Sequence, residues 1–347
     1  LQGLGAAIIF PLSLAMITLT FPKEQRGVAL GIYAAVGTIF LALGPFVGGL
    51  LIDILSWRWI FWINPFIVIV IAMVVLAAWT EPVRDGTRES IDYWGLVSLV
   101  SGLSLLVLAL MQGPEWGWSQ PVIWVLLAAG IAGLASFVYI EHRIAAPLIA
   151  VNLFRGGTFS TSNLIIFTAQ FNQMTIVVFG ALYFQKVLHM SPLVAGAALL
   201  VGVGAAPIMA TPTGRLADRI GARPVALGGL ALTVAALVWI AIAVNFESYA
   251  LLIPGLIAWG SANCALYIAP RRAALNSVPL SRQGETGGIL MTSQLLGGTI
   301  GMAICGSLYA MTGDFRVVFM ATAVLTIVVL AMTWLWLETE SVAEAKA

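Results

Sequence analysis

Long apolar runs alternate along this chain with short interruptions that hold nearly all of its charge. Eleven such runs are legible, at about 1–20, 29–52, 58–79, 93–112, 121–140, 159–182, 193–213, 224–244, 249–270, 287–311 and 316–337. Roughly 20 apolar residues in a helix cross a hydrocarbon core of about 30 Å, so each run predicts one membrane span. The interruptions, among them FPKEQRG, EPVRDGTRESID, QGPEWGWSQP and GRLADRIGARP, carry turn and charge signals and are too short to form a soluble domain. The pattern predicts an all-α integral membrane protein whose function lies within the membrane.

Composition agrees with this reading, and charge adds a direction. Hydrophobic residues make up 61% of the chain, charged ones 9%, and mean hydropathy is +1.01; a globular domain carries about a quarter charged residues. With successive loops on alternate sides, thirteen basic residues, including Lys23, Arg26, Arg215, Arg271 and Arg272, fall on one side and only Arg58, Lys186 and Arg316 on the other. Basic loops stay cytoplasmic, which places the C-terminus inside and the Leu1 end near the outer face of a plasma membrane. Trp57, Trp59, Trp62, Trp116 and Trp118 then cluster at the outer boundary, as an interfacial belt would. Cys264 and Cys305 fall inside spans and read as small packing residues, with no disulfide framework.

The second run, GIYAAVGTIFLALGPFVGG from Gly31 to Gly49, mixes several glycines and a proline into an uncharged stretch. Such a composition serves a soluble helix poorly. In a bilayer, small residues let helices pack closely, and Gly44 and Gly48, one turn apart, predict a contact stripe. The run repeats: a shift of 257 residues lays Gly27, Gly31, Ile32, Gly44, Gly49 and Leu51 on Gly284, Gly288, Ile289, Gly301, Gly306 and Leu308. Internal repeats of this kind mark transporters whose halves pack around a central site. By the same shift, three helices would precede Leu1, so the chain is expected to be a fragment or the product of a truncated gene, and the runs at about 93–140 read as a pair inserted between the halves.

These residues resemble the major facilitator superfamily and, within it, the fourteen-span drug:proton antiporters. Gly31, Gly44, Pro45, Gly48 and Gly49 fit the antiporter motif of the fifth helix, with Phe40 departing at its remaining Gly position. GRLADRIGARP fits the cytoplasmic loop signature at Gly214, Leu216, Asp218, Arg219, Gly221 and Arg223, with Ala222 departing. LQGLGAA at the start resembles the tail of the fourth-helix motif, and SWRWIFWINP the start of the sixth helix. The resemblance implies a two-bundle fold with eleven spans present and the first three helices of the N-terminal bundle missing. Its parts are residues 1–80 as the rest of that bundle, 81–155 as the inserted pair with linkers, 156–338 as a six-helix C-terminal bundle and 339–347 as a tail. Both motifs are implied to act in packing and gating. In the loop, Gly permits a sharp reversal, and Asp218 can engage a helix end and a nearby Arg as a latch.

The candidate substrate cavity comes from polar residues within spans. Asn163, Gln170, Asn172 and Gln173 lie on one run, and buried amides need partners or a wet face. Gln170 and Gln173 share a face. Asn263 and Tyr267, spaced i,i+4, and Gln294 are further candidates, with Phe167, Phe171, Met174 and Phe179 as an adaptable apolar wall. No acid lies at the centre of any run; Asp53, Asp314 and Glu141 sit at helix ends and are expected to be solvated.

The leading expectation is proton-coupled export of small amphipathic molecules by alternating access, in contact with a small-molecule substrate and the bilayer alone. No nucleic acid, obligate protein partner, cofactor or metal is expected; a proton gradient supplies the energy. A facilitator for a specific metabolite, and a chain without activity on its own, stay open as alternatives. A membrane enzyme would need clustered acids, His or metal ligands, and only His142 and His189 occur, on opposite sides. No phosphate-cradling loop for ATP is present in the sequence.

Overall fold

The computed structural model describes residues 46–78, 92–144, 151–278 and 283–337, with isolated positions between 5 and 44. Residues 46–54 are helical, followed by α1 (Trp59–Ala78), α2 (Tyr93–Trp116), α3 (Pro121–Glu141), α4 (Gly157–Lys186), α5 (Pro192–Val203), α6 (Ala205–Ile220), α7 (Ala222–Ala243), α8 (Tyr249–Asn276), α9 (Gln283–Thr312) and α10 (Phe315–Trp336). Without water to satisfy them, backbone groups in hydrocarbon must pair within the segment, so apolar runs become helices. Nine spans among the described residues are long and apolar enough to cross a membrane, with α5 and α6 forming one of them. They coincide with the last nine predicted runs. The first two fall largely outside the described residues.

Two prolines affect helix continuity in opposite ways. Pro207 has no N–H for the carbonyl of Val203, and the span Pro192–Ile220 breaks at Gly204. Pro270 does not end α8, although the apolar run stops there; the helix continues through Arg271 and Arg272 to Asn276. Both arginines find partners on neighbouring helices, which keeps this polar turn ordered.

One compact unit comprises residues 1–88 with 191–200, and a second comprises 89–190 with 201–347. In the first, α1 has no buried residue. In the second, α4 is the most enclosed helix, packed against α8, α9 and α10, while α7 packs on α8 and α10. Lipid tails are as apolar as Leu, so close contact and hydrogen bonds hold such helices together rather than water exclusion. α2 and α3 show this at backbone level: a Cβ built on Gly102 would lie 2.8 Å from the Leu134 nitrogen, and one on Gly130 2.8 Å from the Leu106 nitrogen.

That tight α2–α3 pairing buries two acids, one of which, Glu141, is expected from its position in the sequence to be solvated. Asp92, at the N-cap of α2, and Glu141, at the end of α3, are buried rather than solvated, because the converging helix ends cover them; Asp92 accepts a hydrogen bond from the Gly95 N–H at 2.9 Å. Elsewhere, polar side chains hold the α4 packing together. Asn172 Nδ2 donates to Thr326 Oγ1 of α10 at 3.1 Å, both residues fully buried, and Thr175 Oγ1 meets Cys305 Sγ of α9 at 3.3 Å. Cys264 and Cys305 are both free and buried or nearly so in this packing. Replacing Asn172 with Leu is expected to lower stability by about 1 kcal/mol, as for other hydrogen bonds between membrane helices. The measurement is a thermal unfolding midpoint in detergent, with the substrate profile unchanged.

Candidate functional site

The polar residues of α4, α8 and α9 meet inside the second unit. On α8, Asn263, Tyr267 and Arg271 follow one another at i,i+4 spacing and form a stripe. On α4, Gln170 and Gln173 share the face that meets it. The Tyr267 hydroxyl lies 2.5 Å from Gln170 Oε1 and 3.0 Å from Gln173 Oε1, so one proton is shared between two carbonyls. Gln170 Oε1 also accepts from Gln294 Nε2 of α9 at 3.1 Å, and Gln173 Oε1 accepts from Asn263 Nδ2 at 3.3 Å. Arg271 donates to Gln294 Oε1 at 2.6 Å, with its guanidinium carbon 5.8 Å from the centre of the Tyr267 ring.

Asn163 stands apart, two turns before Gln170. It donates to the Phe159 carbonyl at 2.9 Å and accepts from Ser293 Oγ at 2.8 Å, which ties α4 to α9 one residue before Gln294. Asn263 Oδ1 is buried and has no hydrogen-bond partner among the described residues. All six candidates drawn from the sequence thus lie on three facing helices, and five of them join one network. Asn172 is turned away toward α10. Arg271 and Ser293 complete the arrangement, and neither is among the sequence candidates. In sequence Arg271 reads as a topology-setting charge, although it extends the Asn263–Tyr267 spacing by one further turn.

The loop motif is spread over the junction of α6 and α7. Gly221 closes α6 with φ of +88°, a conformation that L side chains rarely adopt, and it makes the reversal. Gly214 lies within α6, where an added Cβ would meet nothing within 4 Å. Asp218 pairs with Arg272 of α8, and Arg223 donates to the Trp334 carbonyl of α10 at 2.6 Å. Arg219 lies exposed in the last turn of α6. The Asp218 side chain is 72% exposed, so its pair with Arg272 is worth no more than about 1 kcal/mol. Asp218→Asn is therefore expected to shift the unfolding midpoint only slightly. Any larger change in transport rate at equal membrane abundance would identify a role beyond stability.

In the first unit, the antiporter motif places Gly49 against the start of α5. A Cβ there would collide with the Pro192 carbonyl and lie 2.8 Å from Leu193 Cα. One turn further on, Asp53 Oδ2 accepts from Ser191 Oγ at 3.0 Å and from the Leu193 N–H at 3.1 Å, and so caps α5 from another helix. Among the described residues nothing lies within 4 Å of a Cβ built at Gly44 or Gly48. Gly31 and Pro45 lie outside the described residues.

Nine apolar spans among the described residues, with a hydrogen-bonded amide, phenol and guanidinium face between three of them, define a multi-pass membrane protein. The chain belongs to the Major Facilitator Superfamily, whose family model matches residues 1–162 and 162–347. It is 32% identical over 311 residues to the multidrug resistance protein Stp of Mycobacterium tuberculosis, covering 89% of this chain and 57% of that one. It is 27% identical to the tetracenomycin C resistance and export protein of Streptomyces glaucescens, covering 89% of this chain and 58% of that one. With the lincomycin resistance protein LmrB of Listeria monocytogenes it shares 28% identity, covering 87% and 64%. The chain therefore spans little more than half the length of these relatives. Among solved structures it resembles a bacterial homologue of the human lysosomal transporter Spinster in an inward-facing, occupied conformation. The TM-score is 0.56 at 16% identity, over 94% of this chain and 73% of that one, a likeness of fold alone.

Proposed function

We propose that this protein is a proton-coupled secondary transporter of the fourteen-span drug:proton antiporter type, exporting small amphipathic molecules by alternating access. The observation that carries the proposal is the network of Gln170, Gln173, Asn263, Tyr267 and Gln294. Polar groups set between membrane helices are expensive and mark a wet, substrate-handling face. The relatives named for multidrug, tetracenomycin C and lincomycin resistance support export of drug-like cargo. In this reading residues 156–338 form the C-terminal bundle, the two apolar runs before Asp53 are further spans, and the basic loops lie in the cytoplasm.

The motifs then take gating roles. Asp53 and the start of α5 lie at the outer side, where Gly49 permits the contact and the carboxylate fastens it. The motif of Gly214, Asp218, Arg219, Gly221 and Arg223 lies at the inner side and orders the α6–α7 turn through Arg272 and Trp334. Accumulation of lincomycin, tetracenomycin C and a lipophilic dye in cells expressing the full-length protein tests the proposal, with and without a protonophore. Export predicts lower accumulation that the protonophore restores. Equal accumulation with and without the protein would refute export, and substrate entry driven by the protein would identify a metabolite facilitator instead.

A further inference from the structure

We infer that Arg271 selects cargo carrying an oxyanion, so that the transporter's preferred substrates are amphipathic organic acids bound through a carboxylate or equivalent group. The inference rests on the export reading above and specifies the chemistry of the same polar face. Two neighbouring arginines of α8 have different surroundings. Arg272 is paired with Asp218. Arg271 has no ion pair among the described residues; its contacts are the Gln294 carbonyl and the Tyr267 ring.

A guanidinium carries five N–H donors in a planar fork. The hydrogen bond to Gln294 fixes the direction of that fork and leaves most of its donors unspent on an exposed side chain. No acid lies at the centre of any apolar run, and among the described residues no carboxylate forms an ion pair with this guanidinium. Arg271 lies in the last turns of α8, beside Arg272 and the loop motif at the inner side, where ionisable side chains of a membrane helix face a wet surface. Its contacts with Gln294 and Tyr267 place it on the polar face, and an anionic ligand would supply a charge partner. Deeper on the same stripe, the unpartnered Asn263 Oδ1 offers an acceptor to a hydroxyl or amide of the same molecule.

An anionic phospholipid headgroup presents the same oxyanion chemistry, and the experiment separates the two sources. The full-length protein is placed in nanodiscs of phosphatidylcholine alone, or with phosphatidylglycerol added, and binding is read by energy transfer from protein tryptophan to pyrene. The probes are pyrenebutyrate, its methyl ester and pyrenebutylamine, with empty discs as the partition control. Pyrenebutyrate is expected to bind about tenfold more tightly than its ester, the scale of one charge-assisted contact. Arg271→Gln should close that gap while leaving ester binding within about twofold, and Arg271→Lys should keep part of it.

A gap that survives Arg271→Gln overturns the inference, as does an equal loss of all three probes, which would make Arg271 a structural residue. A gap present in phosphatidylcholine and abolished by phosphatidylglycerol assigns the guanidinium to lipid and also overturns it. If ester and amine bind and butyrate gains nothing, only the anion preference falls. Failure of every probe to bind a folded protein takes the export reading down with it.

Discussion

Replacing Gly49 with Val is expected to reduce transport to background at unchanged membrane abundance. The Cβ would meet the Pro192 carbonyl and Leu193 Cα, which are backbone atoms and cannot rotate aside, so the helix ends must separate. Overpacking of this kind costs about 1–3 kcal/mol. The separation also draws Asp53, one turn on, away from Ser191 Oγ and the Leu193 N–H; hydrogen bonds to a charged group contribute about 1.5–3 kcal/mol each. Two carrier conformations differ by only a few kcal/mol, so a loss of this size depopulates the packed one roughly a hundredfold or more. Gly44→Val, at a position with no described atom within 4 Å of an added Cβ, is expected to transport nearly normally. Asp53→Asn keeps an acceptor but loses the charge and should fall between them. Normal efflux by the Gly49→Val protein would show that this contact plays no part in the transport cycle.

The second large effect is expected at Gln170. Its carbonyl receives both the Tyr267 hydroxyl and the Gln294 amide, and Leu has a similar volume but no acceptor. The Gln294 amide would lose its acceptor, at about 1–3 kcal/mol when nothing replaces the partner and nearer 0.6 where membrane helices readjust, and the Tyr267 hydroxyl would keep only Gln173 Oε1. Gln170→Leu should therefore lower efflux about tenfold and change the order of preferred substrates. Tyr267→Phe removes the hydroxyl that shares its proton with Gln170, so the two changes break one contact in common and the double variant should lose less than the two single losses combined. Additive losses would mean that the hydroxyl and the amide act separately.

Part of this site was legible from spacing alone. Gln170 with Gln173, and Asn263 with Tyr267, follow from helical periodicity, and the structure brings both pairs together. Arg271 is within reach of the same argument, but its place after Pro270 and beside Arg272 makes it look like a loop charge; the helix in fact runs on to Asn276. The burial of Asp92 and Glu141 has no sequence signal beyond scattered glycines. It depends on α2 and α3 meeting at Gly102 and Gly130, a contact between residues far apart in the chain. Similarly, spacing could not show that Asn172 would turn to Thr326, or that Asp218 would pair with Arg272 rather than with an arginine of its own motif.

By itself the sequence determined that the chain lives in a membrane, roughly where nine of its spans lie, and which family it belongs to. Those properties follow from the free energy of moving apolar segments out of water, which adds up along the chain and can be read in order. Tertiary structure alone decided which amides face one another, which glycine makes the close contact and which arginine has no ion pair among the described residues. A membrane helix is apolar on nearly every side, so its rotation is not set by an amphipathic pattern. Small-residue contacts and hydrogen bonds to other helices set it instead, and these exist only once the helices have packed.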